Sequence, residues 1–188
     1  MGMTDLLFGA LSFTQEAEND IFKFLILSPM PPMYILTGKI CSGIIKGIIS
    51  TGIFTIILAV SMGKLPDNWG VFILGVILAY ILILSLGLII GILASATLPA
   101  FFISLVTSLT LWIVGGGFGS MAMFSDFVQK LALVNPATHI LNIIRYSYFG
   151  GYMQFNYEIG HLIGWIILSL IVLYVIYEKK ILKGGAAT

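Results

Sequence analysis

Apolar residues along this chain come in long unbroken runs rather than in alternating or striped patterns. A run must reach about 20 residues, at about 1.5 Å rise each, to cross a hydrocarbon core of about 30 Å. Four runs qualify: about Ile40 to Met62, Trp69 to Leu93, Ala96 to Val114 and Ile159 to Tyr177. Each predicts a membrane-spanning helix. Between the first two lies GKLPDNWG, a polar turn in which Pro66 fixes φ and Asp67 and Asn68 hydrogen-bond nearby backbone. The SATLPA connection after the second run is short enough to force an antiparallel hairpin. The stretch from about 115 to 156 is different, being Gly-rich and only intermittently hydrophobic.

Composition agrees with this pattern. Of the 188 residues, 59% are hydrophobic and 9% charged, with a mean hydropathy of +1.09, against about 25% charged in soluble domains. Such a chain cannot cover itself with polar surface, so lipid is its solvent and its first partner. A net charge of +1 argues against nucleic acid. The single cysteine, Cys41, excludes an internal disulfide framework. The start MGMTDLLFGALSF has no basic region or cleavage site of a signal peptide, and Leu6 stands where a myristoylation motif needs Ser or Thr.

Basic residues set an expected orientation, because Lys and Arg are retained in short cytoplasmic loops. With the start inside, Lys23, Lys39, Lys46, Lys179, Lys180 and Lys183 lie inside, while Lys64, Lys130 and Arg145 lie outside. Small residues recur every four positions at Gly43, Gly47 and Thr51 on the first run, and at Gly87, Gly91 and Ser95 on the second. Such stripes predict close helix packing in lipid.

The segment EAENDIFKFLILSPMPPMYILTGKI, Glu16 to Ile40, interrupts the apolar pattern with acids and prolines. Its spacing predicts a short interfacial helix with Glu16, Glu18 and Asp20 at the positive end of its dipole. Ser28 and Pro29 end it, Pro31 and Pro32 form a stiff elbow, and Gly38–Lys39 marks entry into the membrane. The expected fold class is an all-α integral membrane protein. It has about four transmembrane helices, a cytoplasmic interfacial helix and an outer re-entrant segment. Residues 1–34 hold the end of a truncated span plus the interfacial helix, and residues 35–188 the transmembrane domain.

Catalytic chemistry is not indicated. GGGFGS lacks the Lys of a phosphate-cradling G-x-x-x-x-G-K-[ST], so the chain does not power transport alone. His139 and His161 are read as isolated hydrogen-bonded histidines, and Asp126, Lys130 and Arg145 as residues of a solvated outer loop. No catalytic residue, metal site or cofactor is expected.

Two blocks of sequence carry a resemblance. Glu16, Glu18, Phe22, Leu25, Ser28, Pro29, Gly38 and Lys39 fall in register with E-x-E-x-G-T-[LF]-E-x-L-L-x-[ST]-P followed by Gly-Lys, with Asp20, Ile21 and Lys23 departing from it. FVQKLALVNPATHILNIIR is similar to W-L-Q-x-x-A-x-L-N-P-x-[TS]-[YH] with a later arginine, through Gln129, Ala132, Asn135, Pro136, Thr138, His139 and Arg145. The chain resembles the ABC-2 type permeases, membrane subunits of one class of ABC transporter. That resemblance implies a cell-membrane location, a separate ATPase subunit docking on the first block, and a second permease copy or homologous permease. It also implies short helices that dip into the outer leaflet at the second block, and six spans where this chain supplies four. The alternative reading is a non-transporting assembly or regulatory subunit.

Overall fold

The computed structural model describes residues 2–18, 32–94, 96–119, 124–151 and 154–179, and among these it is helical with no strand. The helices are α1 (Gly2–Glu18), α2 (Pro32–Met62), α3 (Trp69–Leu93), α4 (Thr97–Val114), α5 (Asp126–Val134), α6 (Pro136–Phe149) and α7 (Phe155–Tyr177). Four of them, α2, α3, α4 and α7, are long and apolar enough to cross a membrane. This bears out the all-α class and the four spans.

Helix α3 is the axis of the bundle. Half of its most apolar window is buried, against 11% for α2, 17% for α4 and 22% for α7. The exposed sides of the outer helices are themselves apolar: Ile45, Ile49, Ile56 and Val60 on α2 and Ile167 and Ile171 on α7. Faces this exposed and aliphatic fit lipid or another membrane helix rather than water.

Contacts fix the direction of each helix. Gly87 and Gly91 of α3 lie against Leu6, Gly9 and Ala10 of α1. Phe13, Leu36, Leu88, Ile92, Leu173 and Tyr177 form one apolar cluster, so α1, α2, α3 and α7 share an end. Glu18, Lys39 and Thr97 lie at that end. At the opposite end the Asn68 amide donates to the Ser147 carbonyl at 3.1 Å, which places α6 beside the turn between α2 and α3. Asn68 also caps α3, its Oδ1 accepting from the Val71 amide at 3.2 Å. We refer to these as the Glu18 end and the Asn68 end.

Inside the bundle, polar side chains pair across helices. The Ser85 and Ser169 hydroxyls are 2.7 Å apart between α3 and α7, and both residues are buried. Thr51 Oγ1 lies 2.8 Å from Tyr80 Oη between α2 and α3. In lipid such a bond contributes about 0.6–2 kcal/mol.

Three expectations are corrected. Glu16 and Glu18 do not start a helix; they end α1, which runs unbroken through the first acidic positions. Their carboxylates meet groups on other helices instead. The span expected to begin at about Ile40 begins at Pro32, and a proline is tolerated at a first helical position because its missing N–H has no partner there. Gly38 and Lys39 are therefore already within α2, and the division at residue 34 cuts its first turn. Asp126 and Lys130 are helical residues of α5 rather than loop residues, although both are exposed.

Candidate functional site

A cavity of about 490 Å³ lies between α2, α3, α4 and α6. Its walls are mostly aliphatic and aromatic, including Phe54, Leu82, Leu111, Trp112 and Ile140, and the Thr51–Tyr80 hydroxyl pair is its principal polar feature. The volume falls within the range of pockets for drug-sized ligands, about 300–1,000 Å³.

Helix α6 forms one wall of this cavity, through Pro136, Ala137, Ile140 and Ile144. Its position follows from Asn135–Pro136. Asn135 takes extended backbone at the break between α5 and α6, its Oδ1 accepts from the Ala137 amide at 3.0 Å, and Pro136 occupies the first helical position. The other half of the same side chain reaches back, Nδ2 donating to the Leu111 carbonyl in the last turn of α4 at 2.9 Å. One residue thus caps the returning helix and ties it to a span.

Four further carbonyls of this segment take side-chain donors in the same way. The Arg145 guanidinium donates to the Gly116 carbonyl at 2.6 Å, His139 Nε2 lies 3.1 Å from the Leu133 carbonyl, and the Trp165 indole of α7 donates to the Val134 carbonyl at 2.9 Å. Gln129 donates to the Phe124 carbonyl at 2.9 Å. Helix ends buried away from water require such partners. Thr138 makes no such bond: its Oγ1 is buried and bonds to none of the described groups.

His139 is not isolated. Its ring is 2% exposed, Nδ1 lies 2.6 Å from Glu158 Oε2, and the His161 ring stacks over it with centroids 4.9 Å apart. Asn142 donates to the other Glu158 oxygen at 3.0 Å. Sequence spacing did not join His139 to Glu158 because 19 residues and a turn separate them. Trp165 was likewise missed, since an indole in a span reads as ordinary apolar wall.

At the Glu18 end, α1 is tied to two spans. Glu16 pairs with Lys39 of α2, and Glu18 caps α4, Oε1 accepting from the Thr97 amide at 2.7 Å and Oε2 from its hydroxyl at 2.5 Å. The Thr97 hydroxyl and amide together hold the Glu18 carboxyl below its ordinary range. Phe22, Leu25, Ser28 and Pro29 lie outside the described residues. Gly38 is open to substituents, with no atom near a Cβ built there.

The glycine stripes meet different surfaces. A Cβ on Gly87 would lie 2.7 Å from the Leu6 carbonyl oxygen, and one on Gly91 2.7 Å from that of Ala10, both backbone atoms of α1. Gly43 and Gly47 instead face side chains of α3, those of Leu84 and Tyr80.

Comparison with known proteins gives a family. Residues 3–176 match the family described as ABC-2 family transporter protein. The chain is 27% identical over 134 residues to the Inner membrane transport permease YadH of Escherichia coli strain K12, and equally to that of Shigella flexneri. The matched region is 67% of this chain and 49% of the relative, so the chain spans about half the length of the curated relatives it matches. No solved structure matches it. With the family match running from α1 through α7 and four helices able to cross the bilayer, the chain belongs to the ABC-2 transporter family as a multi-pass cell-membrane protein.

Proposed function

We propose that the chain is the permease subunit of an ABC transporter, moving an apolar or amphiphilic substrate through the membrane with energy from a separate ATPase subunit and beside a second permease unit. The carrying observation is the double tie of α1 at the Glu18 end, to Lys39 on α2 and to Thr97 on α4. The segment 19–31 joins the last residue of α1 to the first of α2. A push on that segment therefore reaches α1, α2 and α4 together, and α2 and α4 both line the cavity. The apolar wall, with one hydroxyl pair, supports a lipid-like or drug-like substrate.

The ATPase would dock on segment 19–31, with Phe22 and Leu25 as apolar anchors and Glu16, Glu18, Ser28, Pro29, Gly38 and Lys39 framing it. Truncating a buried aromatic anchor costs about 2 kcal/mol or more. Phe22→Ala should therefore reduce co-purification with the ATPase and lower substrate-stimulated ATP hydrolysis, with membrane insertion checked separately. If Phe22→Ala captures the ATPase as well as the parent does, the segment is not the docking element. Capture without transport would favour the assembly-subunit reading.

A further inference from the structure

We propose that the apolar cavity selects an uncharged amphiphile whose polar end is an oxygen function, a hydroxyl or a carbonyl, recognised by Ser108 on α4 and by the Thr51–Tyr80 pair. The inference deepens the permease reading, on which it rests for calling the bound molecule a substrate.

Ser108 carries it. A helical hydroxyl in an apolar setting ordinarily turns back on its own helix, and two neighbours do so: Ser104 donates to the Ala100 carbonyl at 2.7 Å and Thr110 to the Val106 carbonyl at 2.8 Å. Ser108 lines the cavity and is 4% exposed, yet its hydroxyl bonds to none of the described groups. A buried hydroxyl without a partner is destabilising, and a ligand oxygen in the cavity would relieve it. The Trp112 indole follows one turn later on the same face of α4, lines the same cavity, and its N–H likewise bonds to none of the described groups. Both groups can donate to an oxygen of a bound molecule.

The hydroxyl pair supplies the complementary function. Thr51 Oγ1 and Tyr80 Oη, 2.8 Å apart, satisfy one bond between them and keep lone pairs that can accept from a ligand hydroxyl. A pure hydrocarbon would fill the aliphatic walls and leave Ser108 unpaired.

Charge is excluded by the same walls. Among the described residues, no acidic, basic or histidine side chain lines the cavity. An ionic head would lose its water there without gaining a partner. Asp5 of α1 interacts with the Tyr80 hydroxyl, but it does not line the cavity, and its Oδ2 is buried beyond the reach of a molecule lodged there.

The test uses the full chain in phosphatidylcholine nanodiscs, without ATPase. It is titrated with four probes of one chain length brominated at the chain end: bromododecanol, bromododecane, bromododecanoate and bromododecylammonium. Bromine quenches indole fluorescence on contact, and the reading is the saturable component that Trp112→Phe abolishes. Bromododecanol should bind about tenfold more tightly than bromododecane or either charged probe. Ser108→Ala and Thr51→Val, both close in shape to the parent, should each weaken bromododecanol about threefold to tenfold and leave bromododecane unchanged. The parent's preference among the probes decides the matter even where a variant unfolds. Equal binding of bromododecane and bromododecanol, tighter binding of either charged probe, or alcohol affinity unchanged in both variants would overturn the proposal. The permease reading is tested separately, by ATPase capture through Phe22, so each can fail alone.

Discussion

Glu18 closes the amino-terminal end of a helix to which it does not belong: its carboxylate takes both the amide and the hydroxyl of Thr97, at 2.7 and 2.5 Å, across 79 residues of sequence. An acidic cap of this kind is favoured because the first amides of a helix have no partner within it.

The Glu18 contact makes a titration prediction. Its carboxyl is held below the ordinary value of 4.5, first by the Thr97 hydroxyl and then by the amide. A lowered value means the ionised form is the bound one, so the cap is complete above the ordinary value and is lost as pH falls through the lowered one. Carbon-13 NMR of the Glu18 side chain should show this displacement, and Thr97→Val should move the midpoint back up. A midpoint that does not respond to Thr97→Val would break the assignment.

Glycine positions on α3 should differ from those on α2. Any side chain at Gly87 or Gly91 meets α1 backbone, whereas Gly43 meets the mobile tip of Leu84 and Gly52 meets nothing. Overpacking costs about 1–3 kcal/mol. Thermal unfolding in detergent should therefore fall for Gly87→Ala and Gly91→Ala, less for Gly43→Ala, and not at all for Gly52→Ala. Equal losses at Gly52 and Gly91 would contradict the packing.

Asn135 should be worth more than an ordinary cap. Asn135→Ala removes the bond to the Ala137 amide and the side-chain bond to the Leu111 carbonyl, which keeps the Gly115 amide, a combined cost of about 2 kcal/mol. Asn135→Ser restores a cap but not the reach to Leu111, and should recover about half. The midpoint shift of thermal unfolding, about 2–4 °C per kcal/mol at this length, separates the three proteins. Ser no better than Ala would show that the cap contributes little.

Orientation can be read with the only native thiol. Cys41 is exposed on α2 near the Glu18 end, and Asn68 is exposed at the other. With the Glu18 end inside, a membrane-impermeant maleimide on sealed cells should label Asn68→Cys placed in a Cys41→Ser background and spare Cys41 in the parent. The reverse pattern would invert the topology.

Spans were legible because lipid imposes length and composition directly: Trp69–Leu93 was readable to the residue from hydropathy alone. Asn135–Pro136 stood in the sequence only as part of the family-like block; that it separates α5 from α6 shows in the structure, where Asn135 caps α6 and Pro136 opens it. The α1 contact was not. Gly9 lies with its Cα close against Gly87, but a helix whose apolar stretch is short gives no sign of which glycine it will meet. The acids at 16 and 18 were visible as helix-dipole partners, yet nothing local told that the dipole belongs to α4. The His139–Glu158 pair was equally hidden, because a lone histidine and a lone glutamate gain meaning only when α6 folds back on α7.

The α5–α6 hairpin carries one further consequence for how a path could open. To tilt away from the spans as a body it must surrender Asn135 to Leu111, Arg145 to Gly116 and Trp165 to Val134 in the same motion. The Leu111 and Gly116 carbonyls keep the Gly115 and Gly119 amides, so it is the side-chain donors and the Val134 carbonyl that lose partners, and a partial tilt breaks bonds without forming new ones. Water is small enough to take the groups that come free. In the proposed permease, lifting the hairpin and wetting the groups it releases would then go together.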